Sequence, residues 1–287
     1  MTVVDAHQHV WDLEKVSYPW LVPEYGPLYR TYAQDEIDPV LAACGIDATV
    51  LVQAADSVEE TRWMQATADR SERVRAIVGW VPLHRPDEAA ELLDDYAADA
   101  RIVGVRHLIH EDPDPDWLLR PEVGEGLALL AERGYTFDVV AVLPRHLEHV
   151  PTLSERHPDL DMVVDHLAKP PIASGDWQPW ADLLAAAAQN PRVHAKLSGL
   201  NTAADTERWT AGDLRRYVDH ALEVFGPDRL MYGGDWPVTV LAGGYEKVWD
   251  ATLRLLETLS QAEHDQVLGG TATRFYGIGE PRGGNRA

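Results

Sequence analysis

Val3-Val4-Asp5-Ala6-His7-Gln8-His9 (residues 3–9) is a short run that begins apolar and β-branched and ends in ionisable side chains. Such a run reads as a β-strand with one end in a core and the other at its rim. Seven more apolar runs follow at intervals: Ala48–Ala54, Arg75–Leu83, Ile102–His110, Thr136–Ala141, Asp161–Leu167, Val193–Gly199 and Arg229–Pro237. Between most of them lie alanine- and leucine-rich amphipathic stretches. One of these, beginning Pro86-Asp87-Glu88, has the proline and acidic first turn of a helix start. Trp180–Ala188 and Leu214–Phe225 read in the same way, the second stopped by Gly226-Pro227. Eight strands alternating with helices, most of them apolar throughout, predict a closed parallel (β/α)8 barrel of the TIM type. An open doubly wound sheet is the other arrangement of this pattern. No glycine-rich phosphate loop follows a strand, which removes the usual reason to prefer it.

The chain has 287 residues, 45% hydrophobic and 25% charged, enough for one large core. Residues 1–278 are expected to form a single barrel domain and residues 279–287 a flexible, glycine-rich tail. No apolar run is long enough to cross a bilayer, and the N-terminus lacks the layout of a signal peptide, so a cytoplasmic location is expected. The single cysteine, Cys44, sits before Gly45 at an expected helix end and reads as a small apolar residue, not a nucleophile. The formal charge is −22, from 25 basic and 47 acidic residues. A surface of that sign repels phosphate backbones and anionic lipid, which argues against nucleic-acid or membrane partners. A small molecule is the expected partner, and assembly into a homo-oligomer is allowed. The longest irregular segment, Val10–Thr31, is rich in Trp, Tyr and Pro and follows the first strand directly.

In a barrel of this kind chemistry gathers where the strands end, at the C-terminal face. Residues two apart on a strand share a side, so His7 and His9 point the same way. If inward, two imidazoles converge near the barrel axis, suiting a metal ion or a polarised oxygen. The sixth run reaches Asp165-His166 and the eighth Gly234-Asp235-Trp236. Taken singly, each of these would read as a satisfied polar residue at a strand rim. Their agreement on strands one, six and eight marks them as one constellation.

Six motifs carry a resemblance across nearly the whole chain. They are Val4-Asp5-Ala6-His7-Gln8-His9-Val10-Trp11-Asp12, Tyr18-Pro19-Trp20-Leu21, Gly104-Val105-Arg106-His107-Leu108, Val164-Asp165-His166-Leu167-Ala168-Lys169-Pro170, Lys196-Leu197-Ser198-Gly199 and Gly234-Asp235-Trp236-Pro237. In these the sequence resembles the amidohydrolase-related family, in its sugar-lactonase-like branch. That branch includes hydrolases of L-fuconolactone, L-rhamnonolactone and pyrone-dicarboxylate lactone. The resemblance implies hydrolysis of a cyclic ester on a (β/α)8 barrel. One position departs from the branch, which usually has serine where this chain has Gly234.

On that reading Asp235 is the candidate general base, drawing a proton from water as it attacks the lactone carbonyl. His7, His9 and His166 would hold the carbonyl oxygen, or a metal that does so. Strand four offers Arg106 and His107, and strand five has no lysine, glutamate or histidine, which disfavours the two-metal centre of other superfamily members. No obligatory cofactor is expected. The alternative is one divalent ion, Zn2+, held by His7, His9 and Asp235 with His166 nearby.

Substrate contacts are expected from Trp11, Arg106, His107, Lys196 and Trp236. Arg106 and His107 alternate on one strand, so only one of them faces inward. Lys196 and Ser198 share a face and either meet the substrate or, for the lysine, pair with Asp138 or Asp165. Gln53 ends the second strand and could bind a hydroxyl. His84, His146, His149, His157, His220 and His264 read as surface residues. A metal-dependent decarboxylase or a lactone isomerase would use the same barrel site. A ligand-binding barrel without catalysis would be expected to lack one of the ionisable motif residues, and none is missing.

Overall fold

In the computed structural model, which describes residues 2–279, eight parallel strands lie in the order in which they occur in the chain. They are β1 (Val4–Gln8), β2 (Ala48–Val52), β3 (Val74–Gly79), β4 (Ile102–Arg106), β5 (Thr136–Val139), β6 (Met162–Val164), β7 (Val193–Leu197) and β8 (Leu230–Tyr232). A parallel bridge between Gln8 and Trp236, with bonds from His9 N to Trp236 O (2.7 Å) and Asp235 N to His7 O (2.8 Å), brings the last strand round to the first. The expected barrel is therefore the observed one. The tail expected from residue 279 onward lies, apart from Gly279, outside the described residues.

Eight helices cover the outside: α1 (Gln34–Ala43), α2 (Val58–Ala68), α3 (Pro86–Tyr96), α4 (Pro121–Arg133), α5 (Pro144–Arg156), α6 (Trp180–Ala187), α7 (Ala211–Phe225) and α8 (Gly244–Leu255). Proline opens α3 as expected. Cys44 caps α1 in a partly buried position, and Gly45 follows at φ +72°. Helix α7 begins three residues earlier than its periodicity suggests, because Asp213 accepts from the Thr210 N–H at 2.7 Å and closes a capping box.

Two apolar layers divide the core. Strand residues and the inner faces of the helices fill the outer layer. The inner one contains Val4, Ala6, Val50, Val52, Val78, Val163 and Met231, and is closed below by a further helix, α9 (Thr271–Tyr276), through Phe275 and Tyr276. Asp138 of β5 and Lys196 of β7 meet in the barrel interior. Contributions from alternate strands to one interior layer are how such barrels are filled. Among the described residues no helix is long and apolar enough to cross a membrane.

Several strands are shorter than the apolar runs that announced them. The sixth run extends to Leu167, yet β6 stops at Val164; the eighth extends to Pro237, yet β8 stops at Tyr232. In both cases the chain leaves the sheet through left-handed residues, His166 at φ +56° and Asp235 at φ +52°. Leaving the ladder at these points is what frees their side chains for the site.

Candidate active site

Strand β1 turns the two histidines inward. Gln8, between them, faces the other way and donates to Gln34 of α1 at 2.6 Å. His9 Nδ1 lies 2.7 Å from Val52 O. A carbonyl can only accept, so Nδ1 carries the proton and Nε2 presents a lone pair. That Nε2 is 3.1 Å from His7 Nε2 and 3.5 Å from Asp235 Oδ1, and His7 Nε2 is 3.8 Å from the same carboxylate oxygen. The His166 ring stands 4.4 Å from that of His7, with its Nδ1 2.8 Å from Ser198 Oγ. The four residues of the expected constellation thus meet at one place, all of them buried.

Burial lowers the pKa of His7, His9 and His166, so the imidazoles are held neutral. For Asp235 burial acts upward, but His166, His9 and Lys169 outweigh it and bring the carboxyl to about 2. Its Oδ2 has no hydrogen-bond partner. A neutral imidazole cluster beside an ionised carboxylate with a free oxygen is suited to a cation or to a water molecule that must lose a proton.

The donor set fits a divalent metal. A tetrahedral zinc with N and O ligands needs ligand atoms about 3.4 Å apart, close to the spacings among His7, His9 and Asp235. His166 belongs to the set as well: His7, His166 and Asp235 offer ligand atoms within 4.8 Å of one another. The expectation that no metal is required therefore gains no support from the site.

Under this cluster lies a buried ionic network. Lys196 Nζ donates to Asp138 Oδ2 at 2.5 Å and sits 3.0 Å from Asp165 Oδ1 and 3.1 Å from His7 Nδ1. Tyr276 Oη donates to Asp138 Oδ2 at 2.8 Å. Arg106 Nη1 donates to Asp165 Oδ2 at 3.0 Å and lies 3.4 Å from His7 Nε2, while Nη2 donates to Gln53 O. Burial would raise the Asp165 pKa, yet Lys196, His7 and Arg106 hold it well below the usual carboxylate range. Of the two readings open for Lys196, pairing with the acids is the one the geometry takes. Its ammonium is wholly enclosed, which removes it from the substrate contacts.

Arg106 is the residue of its pair that turns to the centre. His107, just past the end of β4, stacks on Trp117 with centroids 4.0 Å apart at 7°. Trp80 Nε1 donates to His107 Nδ1 at 3.0 Å, so the proton of the ring sits on Nε2, 3.3 Å from Asp56 Oδ2. Gln53 donates to Arg106 O and to Asp56 Oδ1, binding this rim to the centre. Trp11, expected to contact substrate, is instead a packing residue. It is fully buried and its indole N–H donates to Arg30 O at 2.7 Å, tying down the Val10–Thr31 segment. Trp236 is buried too, its ring edge-to-face with Tyr32 at 5.3 Å. His146 and His149 are likewise not surface residues but part of the buried face of α5.

Two features escaped the reading of the sequence. Asp56 carries the rim, and burial pushes its carboxyl up to about 6. Lys169 stands three residues after His166 in a quoted motif, and its spacing gave no hint that it would return to the centre. Gly234 is explained by its surroundings. A Cβ there would fall inside the edge of the Tyr245 ring and 2.7 Å from Asp5 Oδ2. Tyr245 Oη and Gly234 N both donate to Asp5, at 2.8 and 2.9 Å.

A histidine pair at the end of β1, a histidine after β6 and an aspartate after β8, all at the C-terminal mouth of a parallel eight-stranded barrel, define the class. The chain belongs to the amidohydrolase family, whose model matches residues 4–278. It is 35% identical to an L-fucono-1,5-lactonase of Burkholderia ambifaria over 99% of this chain and 98% of that protein. A second L-fucono-1,5-lactonase, from Burkholderia multivorans, is 36% identical over 97% of both. A crystal structure of a Burkholderia multivorans amidohydrolase with bound zinc superposes with a TM-score of 0.89 at 35% identity, covering 97% of this chain and 100% of that one.

Proposed function

We propose that the chain hydrolyses a sugar-acid lactone, an aldono-1,5-lactone of the L-fucono type, to the open hydroxy acid. The observation that carries this reading is the ionised Asp235, with one free oxygen, beside a cluster of neutral imidazoles. The two lactonase relatives that match nearly end to end support the choice of a cyclic ester. Asp235 takes a proton from the attacking water as its oxygen bonds to the ring carbonyl. Arg106, preset by the network below, faces the carbonyl oxygen where negative charge develops. Asp235 then returns its proton to the ring oxygen as the ester bond breaks. An alkoxide leaves more readily than an amide nitrogen, so this one carboxyl serves both transfers.

His7, His9, His166 and Asp235 are the residues that would hold a divalent ion, which would supply Lewis-acid polarisation of the carbonyl or the water. The rim of Asp56, His107 and Gln53 offers donors and acceptors for sugar hydroxyls. The test is acid release from a panel of aldono-lactones, with metal-stripped and zinc-supplemented protein compared. Hydrolysis by either form supports the reading, and the comparison assigns the metal. Failure of both across 1,4- and 1,5-lactones would overturn it.

A further inference from the structure

The backbone shows why Lys169 is where it is. His166, Leu167, Ala168 and Lys169 are four consecutive left-handed residues, at φ +56°, +49°, +57° and +49°. None is glycine, and L side chains rarely hold this conformation. Surroundings must hold such a run, and such runs gather at working sites. Here Trp180 Nε1 grips Leu167 O at 2.7 Å. The run carries Lys169 back against Gly199, itself at φ +58°. A Cβ placed on Gly199 would lie 2.7 Å from Asp235 Oδ2, 2.7 Å from His166 Nδ1 and 3.0 Å from Lys169 Nζ. Ammonium, imidazole and carboxylate therefore border one small space that only glycine leaves open.

The hydrogen bonds of the ammonium are incomplete. Nζ donates to Gly199 O at 3.1 Å and Thr202 Oγ1 at 3.0 Å, both neutral acceptors, which leaves one of its three N–H groups. Arg106 and Lys196 are each paired with a carboxylate, at 3.0 and 2.5 Å. No described carboxylate comes within ion-pair distance of Lys169. Asp235 divides the site between its two oxygens: Oδ1 faces His7 and His9, and Oδ2 faces Gly199, beside His166 and Lys169. With the side of His7 and His9 serving the carbonyl oxygen, the side of Lys169 is left for the ring oxygen.

We propose that Lys169 is a further catalytic residue of lactone opening, its remaining N–H donating to the ring oxygen as that atom leaves. The inference rests on the lactonase reading. In the balanced step a water oxygen bonds to the carbonyl carbon and the bond from that carbon to the ring oxygen breaks. The proton of the water passes to Asp235 and on to the ring oxygen, and the new carboxyl group releases its own proton to solvent. Lys169 keeps all three protons and stabilises the charge on the ring oxygen until that proton arrives.

The experiment compares wild type, Lys169→Met and Lys169→Arg on a lactone that the wild type opens. Each variant is followed by kcat, KM and melting temperature. Removing one preorganised donor of this kind lowers kcat about 100-fold or more, so that loss is expected for Lys169→Met, with KM within about threefold and melting within a few degrees. Lys169→Arg should recover part of kcat. Two results overturn the proposal while leaving the lactonase reading intact. One is a Lys169→Met enzyme with kcat within threefold of wild type; the other is equal loss in both variants that follows a shared fall in melting temperature. A wild type that opens no lactone overturns the reading and this proposal together.

Discussion

Tyr245 and Asp5 are joined by a 2.8 Å hydrogen bond behind the Asp235 carboxylate, and Gly234 is held between them. The phenol ring fills the volume that a side chain at 234 would need, and its hydroxyl binds the acid that also receives the Gly234 N–H. The lactonase-like branch usually has a serine at this place. Here Tyr245 on α8 takes up the space and satisfies Asp5.

Restoring serine should therefore harm this protein. Gly234→Ser is expected to destabilise by about 1–3 kcal/mol, the usual range for overpacking. Combining it with Tyr245→Ala should give less than the sum of the two losses, since contacting residues do not add. Urea denaturation of the four proteins measures the coupling. Strict additivity would show that the two positions do not compete for space.

Asp235→Asn is expected to lower kcat at least ~100-fold, in line with loss of a general base. Thermal unfolding should show a folded protein, because the amide keeps the shape of the side chain. A variant turning over at a near-normal rate would remove Asp235 from the role of base.

Lys196→Met leaves Asp138 and Asp165 buried without their shared cation. Breaking a buried ion pair from one side costs about 3–5 kcal/mol, and the denaturant midpoint should move accordingly. The double variant Lys196→Met/Asp138→Leu should regain part of the loss by removing one stranded charge. A single variant as stable as wild type would mean that the network is solvated.

Acid should weaken the fold through His194, whose ring packs 4.7 Å from Phe275 and whose pKa burial lowers to about 4. Above pH 6.5 neither state binds this proton. Between about 6.5 and 4 the unfolded chain takes it up and the native one does not, so stability falls as pH falls. One such group contributes a slope of at most about 1.4 kcal/mol per pH unit. His194→Phe should flatten the stability curve across that window by up to this amount. An unchanged curve would contradict the assignment.

The barrel was legible because its strands are buried on both faces, so each announces itself as an apolar run. The constellation was legible because His7, His9, His166 and Asp235 follow directly on such runs. The turn at 166–169 was not, since Leu167 and Ala168 have no preference for left-handed backbone, and the contact from Trp180 that steadies it is remote in sequence. Lys196 was open to two readings because alternation gives the side of a strand, not the partner found across the barrel. His146 and His149 looked like surface residues for want of an apolar label, although 146, 147, 149, 150 and 153 line the buried stripe of α5.

The helix that closes the barrel floor makes completion of the centre depend on a segment far along the chain from the first strand. Tyr276 holds Asp138, Asp138 holds Lys196, and Lys196 stands under His7. The first strand pairs with β2 on one side, and on the other it meets the chain only beyond the eighth, at Trp236. A nascent chain that has not yet released residues 230–276 can build most of its wall but cannot finish the centre. Contacts of such long sequence separation are slow to form. Catalytic activity should accordingly appear only once this helix has docked, and truncation within 271–276 should silence the enzyme from the side of the barrel opposite its mouth.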